Sequence, residues 1–177
     1  LSVGGVVGMV SVVAAGSFAQ TNSVAVTVSV CLLIGLVVGS ANGAIVAWGG
    51  LSPLIVTLAT GFVLSGAMLI YTKGAPTGSV PSGIRALASR GLFGLSWSVA
   101  AWISIATITA LVLRFAWAGR WVYALGSSPE AARLGGVNIP LVQMFSHIFA
   151  SVCAACGGLL LAGFVGVGSL GAGQDLI

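Results

Sequence analysis

Residues 24–48, VAVTVSVCLLIGLVVGSANGAIVAW, form an apolar run that contains no charged side chain. A run of about 18 or more apolar residues is long enough to cross the hydrocarbon core of a bilayer as a helix. The pattern extends over residues 1–72, which contain no Asp, Glu, Lys or Arg, and it recurs in residues 91–113 and 134–174. Together these regions have room for about five membrane-spanning helices.

The composition excludes an ordinary soluble domain. Hydrophobic residues make up 58% of the 177-residue chain, charged residues make up 5%, and the mean hydropathy is +1.18. A soluble domain carries about 25% charged residues, because it needs a polar surface. A Gly- and Ala-rich fibrous protein is the alternative, but it would need a short repeat, and we find none. We therefore predict an all-α protein, a polytopic transmembrane helical bundle.

Turn-forming residues divide the apolar regions into five predicted spans. Polar residues 20–23 end the first span, and the second ends at Ser40 or continues as far as Trp48. Before the third span, Ser52 is a candidate N-cap, and Pro53 suits the first helical position because it lacks an N–H. The predicted spans are Ser2–Ala19, Val24–Ser40, Pro53–Tyr71, Trp97–Phe115 and Leu141–Ala162.

Small residues four positions apart predict close contacts between these helices, since they let helix backbones approach in lipid. The pairs are Gly4 and Gly8, Gly35 and Gly39, and Gly158 and Ala162. They favour a compact bundle and say little about its task.

The chain lacks the residue sets of membrane enzymes, ion-driven transporters and metal sites. Its one histidine, His147, lies in the fifth predicted span, where a hydrogen bond across helices is a simpler role than a proton relay. Cys153 and Cys156 have redox-motif spacing, but in an apolar span Cys is usually a small packing residue. There is no Gly-rich phosphate loop, and basic residues are too sparse for nucleic acid. What remains is a passive facilitator or channel, or a permease energised by another subunit; no cofactor is expected.

Residues 119–140, GRWVYALGSSPEAARLGGVNIP, form the most polar segment. Signals for a short helix lie within it: an N-cap Ser, an early Pro and acid, a late basic residue and terminal glycines. These residues are Ser127 or Ser128, Pro129, Glu130, Arg133, Gly135 and Gly136. Ser127 and Glu130 also have capping-box spacing. A helix of one or two turns is marginal in water, so it is either an ordinary interfacial loop helix or a docking helix for a soluble partner.

The same segment resembles the cytoplasmic loop of the permease subunits of bacterial ABC importers for ribose and related monosaccharides. Residues 119–126, GRWVYALG, and 129–138, PEAARLGGVN, carry the most specific part of the resemblance. Weaker matches occur in the family's order along the chain, at Leu1–Gly4, Asn42-Gly43, Ser52–Thr60 and Gly171–Gln174. Ser127-Ser128 departs from the expected Gly-Asn type of turn, but either pair can cap a helix.

The resemblance implies one permease domain over residues 1–177, with a periplasmic loop at 72–95 and a cytoplasmic coupling loop at 116–139. Charge alone does not settle this orientation, because Lys73, Arg85 and Arg90 at the first loop are matched in number by Arg114, Arg120 and Arg133 at the second, where Arg114 lies just before the loop. The implied partners are a separate ATPase subunit that binds ATP, a periplasmic sugar-binding protein and a second permease subunit, in the bacterial inner membrane. The residues implied in coupling to the ATPase are Ser128, Glu130, Ala131, Ala132, Arg133, Gly135 and Gly136.

Two further sets of residues are weaker predictions. Candidates for contact with the binding protein, for which a solvated or lipid-headgroup role fits equally well, are Arg85 and Arg90. Candidates for the sugar path, each of which could instead bond across helices, are Asn42, Thr57, Thr60 and Gln143. Family members have spans beyond both ends, and the chain begins with Leu1 inside an apolar segment, so we expect a fragment of a longer chain.

Overall fold

The computed structural model describes residues 2–73 and 97–165, which form seven α-helices and no strand. The helices are α1 (Ser2–Thr21), α2 (Val24–Gly49), α3 (Pro53–Thr72), α4 (Trp97–Phe115), α5 (Trp117–Ser127), α6 (Pro129–Leu134) and α7 (Ile139–Val165). Four of them, α1, α2, α3 and α7, are each long and apolar enough to cross a membrane. Helices α4 and α5 form a pair bent by 74°, which gives a fifth span when counted as one. The predicted all-α bundle with about five spans is confirmed.

Helix α2 extends to Gly49, close to the later of its two predicted limits, and Gly50 stops it in the left-handed conformation at φ 64°. Pro53 occupies the first turn of α3, as predicted. The prediction that the Ser52 side chain caps α3 is wrong: it makes no capping hydrogen bond, and only its carbonyl oxygen accepts from the Val56 N–H, at 3.2 Å. The predictions for Arg85, Arg90 and Gly171–Gln174 lie outside the described residues.

The sequence does not predict helix α5, because its residues belong to the charged segment that follows the fourth predicted span. Its apolar pattern shows why it forms. Trp121 and Val122 are half-buried and line a groove with α7, whereas Arg120 and Tyr123 are exposed. The four residues thus divide a short helix into an inner and an outer face.

Helices α2 and α7 touch backbone to backbone along a row of glycines. A Cβ atom added to Gly39 would lie 2.7 Å from Ile148 Cα and 2.9 Å from the carbonyl oxygen of His147. Real Cβ atoms do not approach backbone that closely, so only glycine fits here. Because apolar side chains gain nothing by leaving lipid, close packing of this kind is what holds membrane helices together.

The order of contacts along this row shows that α2 and α7 are antiparallel. Gly35 faces Ser151, and Gly43, two turns further along α2, faces Met144, which is earlier in α7. The end of α2 and the start of α7 therefore lie at one end of the bundle, where the turn 49–52 and α6 are also found.

Helices α1 and α3 run parallel, since Gly5 faces Gly61 and Gly16 faces Tyr71. Helix α3 begins after the 49–52 turn, so its last residue, Thr72, lies at the end of the bundle opposite α6. The buried core lies where α1 meets α2, α3 and α7, and consists of small and medium side chains: Val6, Val7, Val10, Ala14, Ala15, Cys31, Leu64, Ala154, Ala155 and Ala162.

Replacement of Gly39 by Ala should destabilise the protein, because the new methyl group meets the α7 backbone. Overpacking of this kind costs about 1–3 kcal/mol. The measurement is thermal unfolding of the purified protein in detergent micelles. Gly66→Ala is the matched control, since a Cβ there has nothing within 4 Å; equal melting temperatures for the two variants would contradict the close contact.

Candidate functional site

Ser128 begins α6 and supplies its cap. Its backbone is extended, at φ −159° and ψ 112°, and its hydroxyl oxygen accepts from the Ala131 N–H at 3.2 Å. Ser127 instead ends α5, and its hydroxyl donates to the carbonyl oxygen of Ala124 at 2.9 Å. Of the two predicted caps, Ser128 is confirmed. The predicted capping box of Ser127 and Glu130 is wrong, because the third helical residue counted from the true cap is Ala131.

The end of α6 is fixed by its backbone. The Val137 N–H donates to the carbonyl oxygen of Ala132 at 3.0 Å, and the Gly136 N–H donates to that of Arg133 at 3.1 Å. This pair of bonds is the Schellman motif, which needs a left-handed residue after the helix. Gly136 provides it at φ 78°, and Gly135 occupies the C-cap position. The predicted stop is therefore confirmed.

Helix α7 starts only a few residues later, with its own cap at Asn138. The Asn138 side-chain oxygen accepts from the Leu141 N–H at 3.4 Å, and its carbonyl oxygen accepts from the Val142 N–H at 3.2 Å. This role was not predicted, although an Asn two residues before Pro140 and an apolar run is a helix-start signal. The caps of α6 and α7 leave little freedom in the link between them.

Most of α6 faces outward. Ala132 is 4% exposed and anchors the helix, while Leu134 is 90% exposed. The exposed residues of the predicted coupling set, which did not include Leu134, are Glu130, Ala131, Arg133, Gly135 and Gly136. The segment thus displays an acid, a base and an apolar side chain together. Leu134 was missed from the sequence because an apolar residue in a short amphipathic segment is normally expected to face inward.

Three polar side chains, the buried Ser2 and Asn42 and the half-buried Thr60, join α1, α2 and α3. Asn42, which is 1% exposed, accepts from the Thr60 hydroxyl at 2.6 Å and donates through Nδ2 to the Ser2 hydroxyl at 3.4 Å. These bonds satisfy a buried amide that would otherwise be costly in an apolar interior. The arrangement supports the interhelical role considered for Asn42 and Thr60, and their place on a sugar path stays a prediction.

The other candidate polar residues are not brought to this network. The Thr57 hydroxyl donates within its own helix, to the carbonyl oxygen of Pro53 at 2.8 Å. Gln143 is half-buried near the start of α7, and its carbonyl oxygen lies 2.9 Å from Nδ1 of His147. The bond of His147 is therefore within α7, not across helices as expected. Within the described residues, no group of three or more His, Cys, Asp or Glu side chains could hold a metal ion.

Comparison with known families gives a single answer for the class of protein. The family described as "Branched-chain amino acid transport system / permease component" matches residues 1–177. The chain belongs to this permease family. The resemblance carried by the 119–138 segment is confirmed at the level of the family, and the protein is a multi-pass membrane protein.

Three curated transport proteins are similar in sequence to this permease. The chain is 34% identical over 181 residues to a probable ABC transporter permease protein of Sinorhizobium fredii, covering 100% of this chain and 53% of the relative. It is 31% identical over 165 residues to the ribose import permease protein of Haemophilus influenzae, covering 91% and 51%. It is 33% identical over 188 residues to the galactose/methyl galactoside import permease protein of Salmonella typhimurium, covering 94% and 55%.

The permease sequence spans about half the length of the curated relatives that it matches. No solved structure shows a significant match to it.

Replacement of Ser128 by Ala should fray the first turn of α6. Loss of a serine N-cap costs about 0.5–2 kcal/mol, a large share of the stability of a six-residue helix. Hydrogen–deuterium exchange should show faster exchange of the Ala131 amide. Ser127→Ala serves as the control, because that hydroxyl bonds within α5 and not to α6; equal acceleration in both variants would exclude Ser128 as the cap.

The bond between Asn42 and Thr60 should appear as a coupling energy in a double-mutant cycle with Asn42→Ala and Thr60→Val. Hydrogen bonds between membrane helices contribute about 0.6 kcal/mol on average and up to about 1.7 kcal/mol. The cycle is measured by equilibrium unfolding in mixed micelles. In the parallel cycle with Thr57→Val no coupling is expected, and additive effects of Asn42 and Thr60 would show that the bond contributes nothing.

Proposed function

We propose that the chain forms part of the permease subunit of an ATP-driven importer that moves a ribose-like monosaccharide across the bacterial inner membrane. The observation that carries the proposal is α6, a capped helix of six residues that displays its charged and apolar side chains outward. A helix so short is marginal by itself. The caps at both ends hold this short helix in one orientation, as a docking surface requires.

In this proposal α6 contacts a separate ATPase subunit. Glu130 and Arg133 offer charges of opposite sign, and the exposed Leu134 offers an apolar side chain that a cleft on the partner could bury. Exposed residues of this kind gain most from a partner that excludes water around them.

The same structure supplies a route by which force on α6 reaches the spans. The Schellman motif and the Asn138 cap make the link from α6 to α7 stiff. Helix α7 in turn contacts α2 at glycines, where the two backbones touch with no side chain between them. Movement of α6 during the ATPase cycle would therefore be passed to α7, from α7 to α2, and from α2 to α1 and α3.

The orientation is part of the proposal. Residues 116–139 form the cytoplasmic coupling loop and residues 72–95 the periplasmic loop. In support, Thr72 and α6 lie at opposite ends of the helix bundle. Arg85 and Arg90 would then be on the side of a periplasmic binding protein, and a second permease subunit would complete the pathway.

The substrate class rests on the relatives. The family's description names branched-chain amino acids, whereas two of the relatives described above are import permeases for ribose and for galactose or methyl galactoside. At about 30% identity we infer a sugar from these names, and uptake of ribose but not leucine by the assembled importer would support it.

The decisive experiment is a cross-link between α6 and the ATPase. The full-length permease, with all its native cysteines replaced by Ala, Cys31, Cys153 and Cys156 among them, receives a single Cys at Ala131 and is co-expressed with the ATPase subunit. Ala132→Cys is the matched control, because Ala132 is the adjacent residue and is buried. A thiol cross-linker should join the ATPase to position 131 in a nucleotide-sensitive manner, at least about tenfold more than to position 132.

The alternative is an ATP-independent facilitator or channel. Sugar uptake into vesicles that lack the ATPase, together with no adduct at position 131, would support that alternative. An adduct at position 131 with uptake of leucine instead of ribose would retain the ATP-driven mechanism and overturn the substrate.

A further inference from the structure

A basic pocket lies at the bend between α4 and α5. Its volume is about 600 Å³, and its lining consists of Ala110, Leu113 and Arg114 from α4 and Arg120 and Tyr123 from α5. The pocket is separate from α6, none of whose residues lines it. Arg114 lies in the last turn of α4, so the pocket is located where that helix reaches the membrane surface.

The two arginines of the pocket have no acidic partner in the part of the chain that the structure describes. The one carboxylate side chain there is Glu130, which lies exposed on α6. The Arg114 guanidinium is 5.7 Å from the ring centroid of Phe115, a contact that leaves its charge uncompensated. Two positive charges beside one hydroxyl group are complementary to an anion. Each guanidinium group can donate two parallel hydrogen bonds to the oxygens of one phosphate.

An apolar face of α4 adjoins Arg114. Ile108, Leu111 and Phe115 are exposed on this face, Phe115 is 74% exposed, and its ring is the one that the Arg114 guanidinium contacts. Ala110 and Leu113 supply the apolar part of the pocket wall itself. A ligand that fits both parts needs an anionic group joined to long hydrocarbon chains. A free phosphate ion would use only the two arginines and leave the apolar surface uncovered.

We propose that this pocket, defined by Arg114, Arg120 and Tyr123, binds the phosphate group of an anionic phospholipid whose acyl chains lie along α4. The arginines hold the phosphate oxygens, and the Tyr123 hydroxyl donates to the headgroup. Basic pockets between membrane helices are suited to anionic headgroups of this kind. The proposal depends on α4 crossing the membrane and does not depend on the transported substrate or on the ATPase.

The test uses the purified full chain in a neutral detergent and native mass spectrometry, with phosphatidylglycerol as the probe and phosphatidylcholine as the neutral comparison. The variant is Arg114→Gln with Arg120→Gln. It should bind phosphatidylglycerol about 30-fold more weakly, since each basic residue near an anionic surface contributes about fivefold. Arg133→Gln is the matched control, because it removes an exposed arginine outside the pocket, and it should change binding by less than about twofold.

A second variant separates loss of charge from loss of structure. Arg114→Lys with Arg120→Lys keeps both charges and should retain most of the preference for phosphatidylglycerol over phosphatidylcholine, whereas a folding defect would remove it. Three results would overturn the proposal: equal binding of the two lipids by the unaltered chain, unchanged binding in the double Gln variant, or a loss in Arg133→Gln as large as in that variant. Displacement of the lipid by millimolar inorganic phosphate would identify a small-anion site instead.

Discussion

The absence of side chains at Gly35, Gly39 and Gly43 is the constraint on which the rest of the structure depends. It brings the α2 backbone against the α7 backbone in a solvent where apolar side chains gain nothing by moving from lipid to protein. Once this contact is made, the positions of both helix ends are set. The turn at 49–52, the start of α7 and the short α6 are thereby placed together at one end of the bundle.

The long helices could be predicted from the sequence because apolar runs without charge have one dominant interpretation. Even the Gly35 and Gly39 pair was recognisable as a packing motif, but the helix that it contacts was not. Which two helices pack together depends on how well their surfaces fit, and the partner surface lies far away in the sequence, where a local pattern gives no information about it. The same limit applies to Asn42 and Thr60. A polar side chain in an apolar medium is expected to form a hydrogen bond, but the sequence does not show with which residue.

Short elements were harder to predict, since neighbouring residues compete for the same role. Ser127 and Ser128 are chemically identical, and the unpredicted α5 decided between them: it extends to Ser127 and leaves Ser128 with the extended backbone that a cap needs. Ser52 shows the opposite case, in which the position of the cap is right but the side chain makes no capping hydrogen bond. Helix α5 itself was missed because the predicted spans were limited to uninterrupted apolar runs. This helix has one apolar face and one polar face, so a charged residue interrupts its sequence.

The network of Ser2, Asn42 and Thr60 also limits how the protein can move. Asn42 lies about 10 Å before the end of α2 along the helix axis, and sliding α1 or α3 past it by one turn would leave an amide in hydrocarbon without partners. The glycine contacts add α7 to the helices that this network ties together. Helix α4 has no comparable polar or glycine contact to those helices among the described residues. A conformational change that keeps the network intact must therefore move α1, α2 and α3 together.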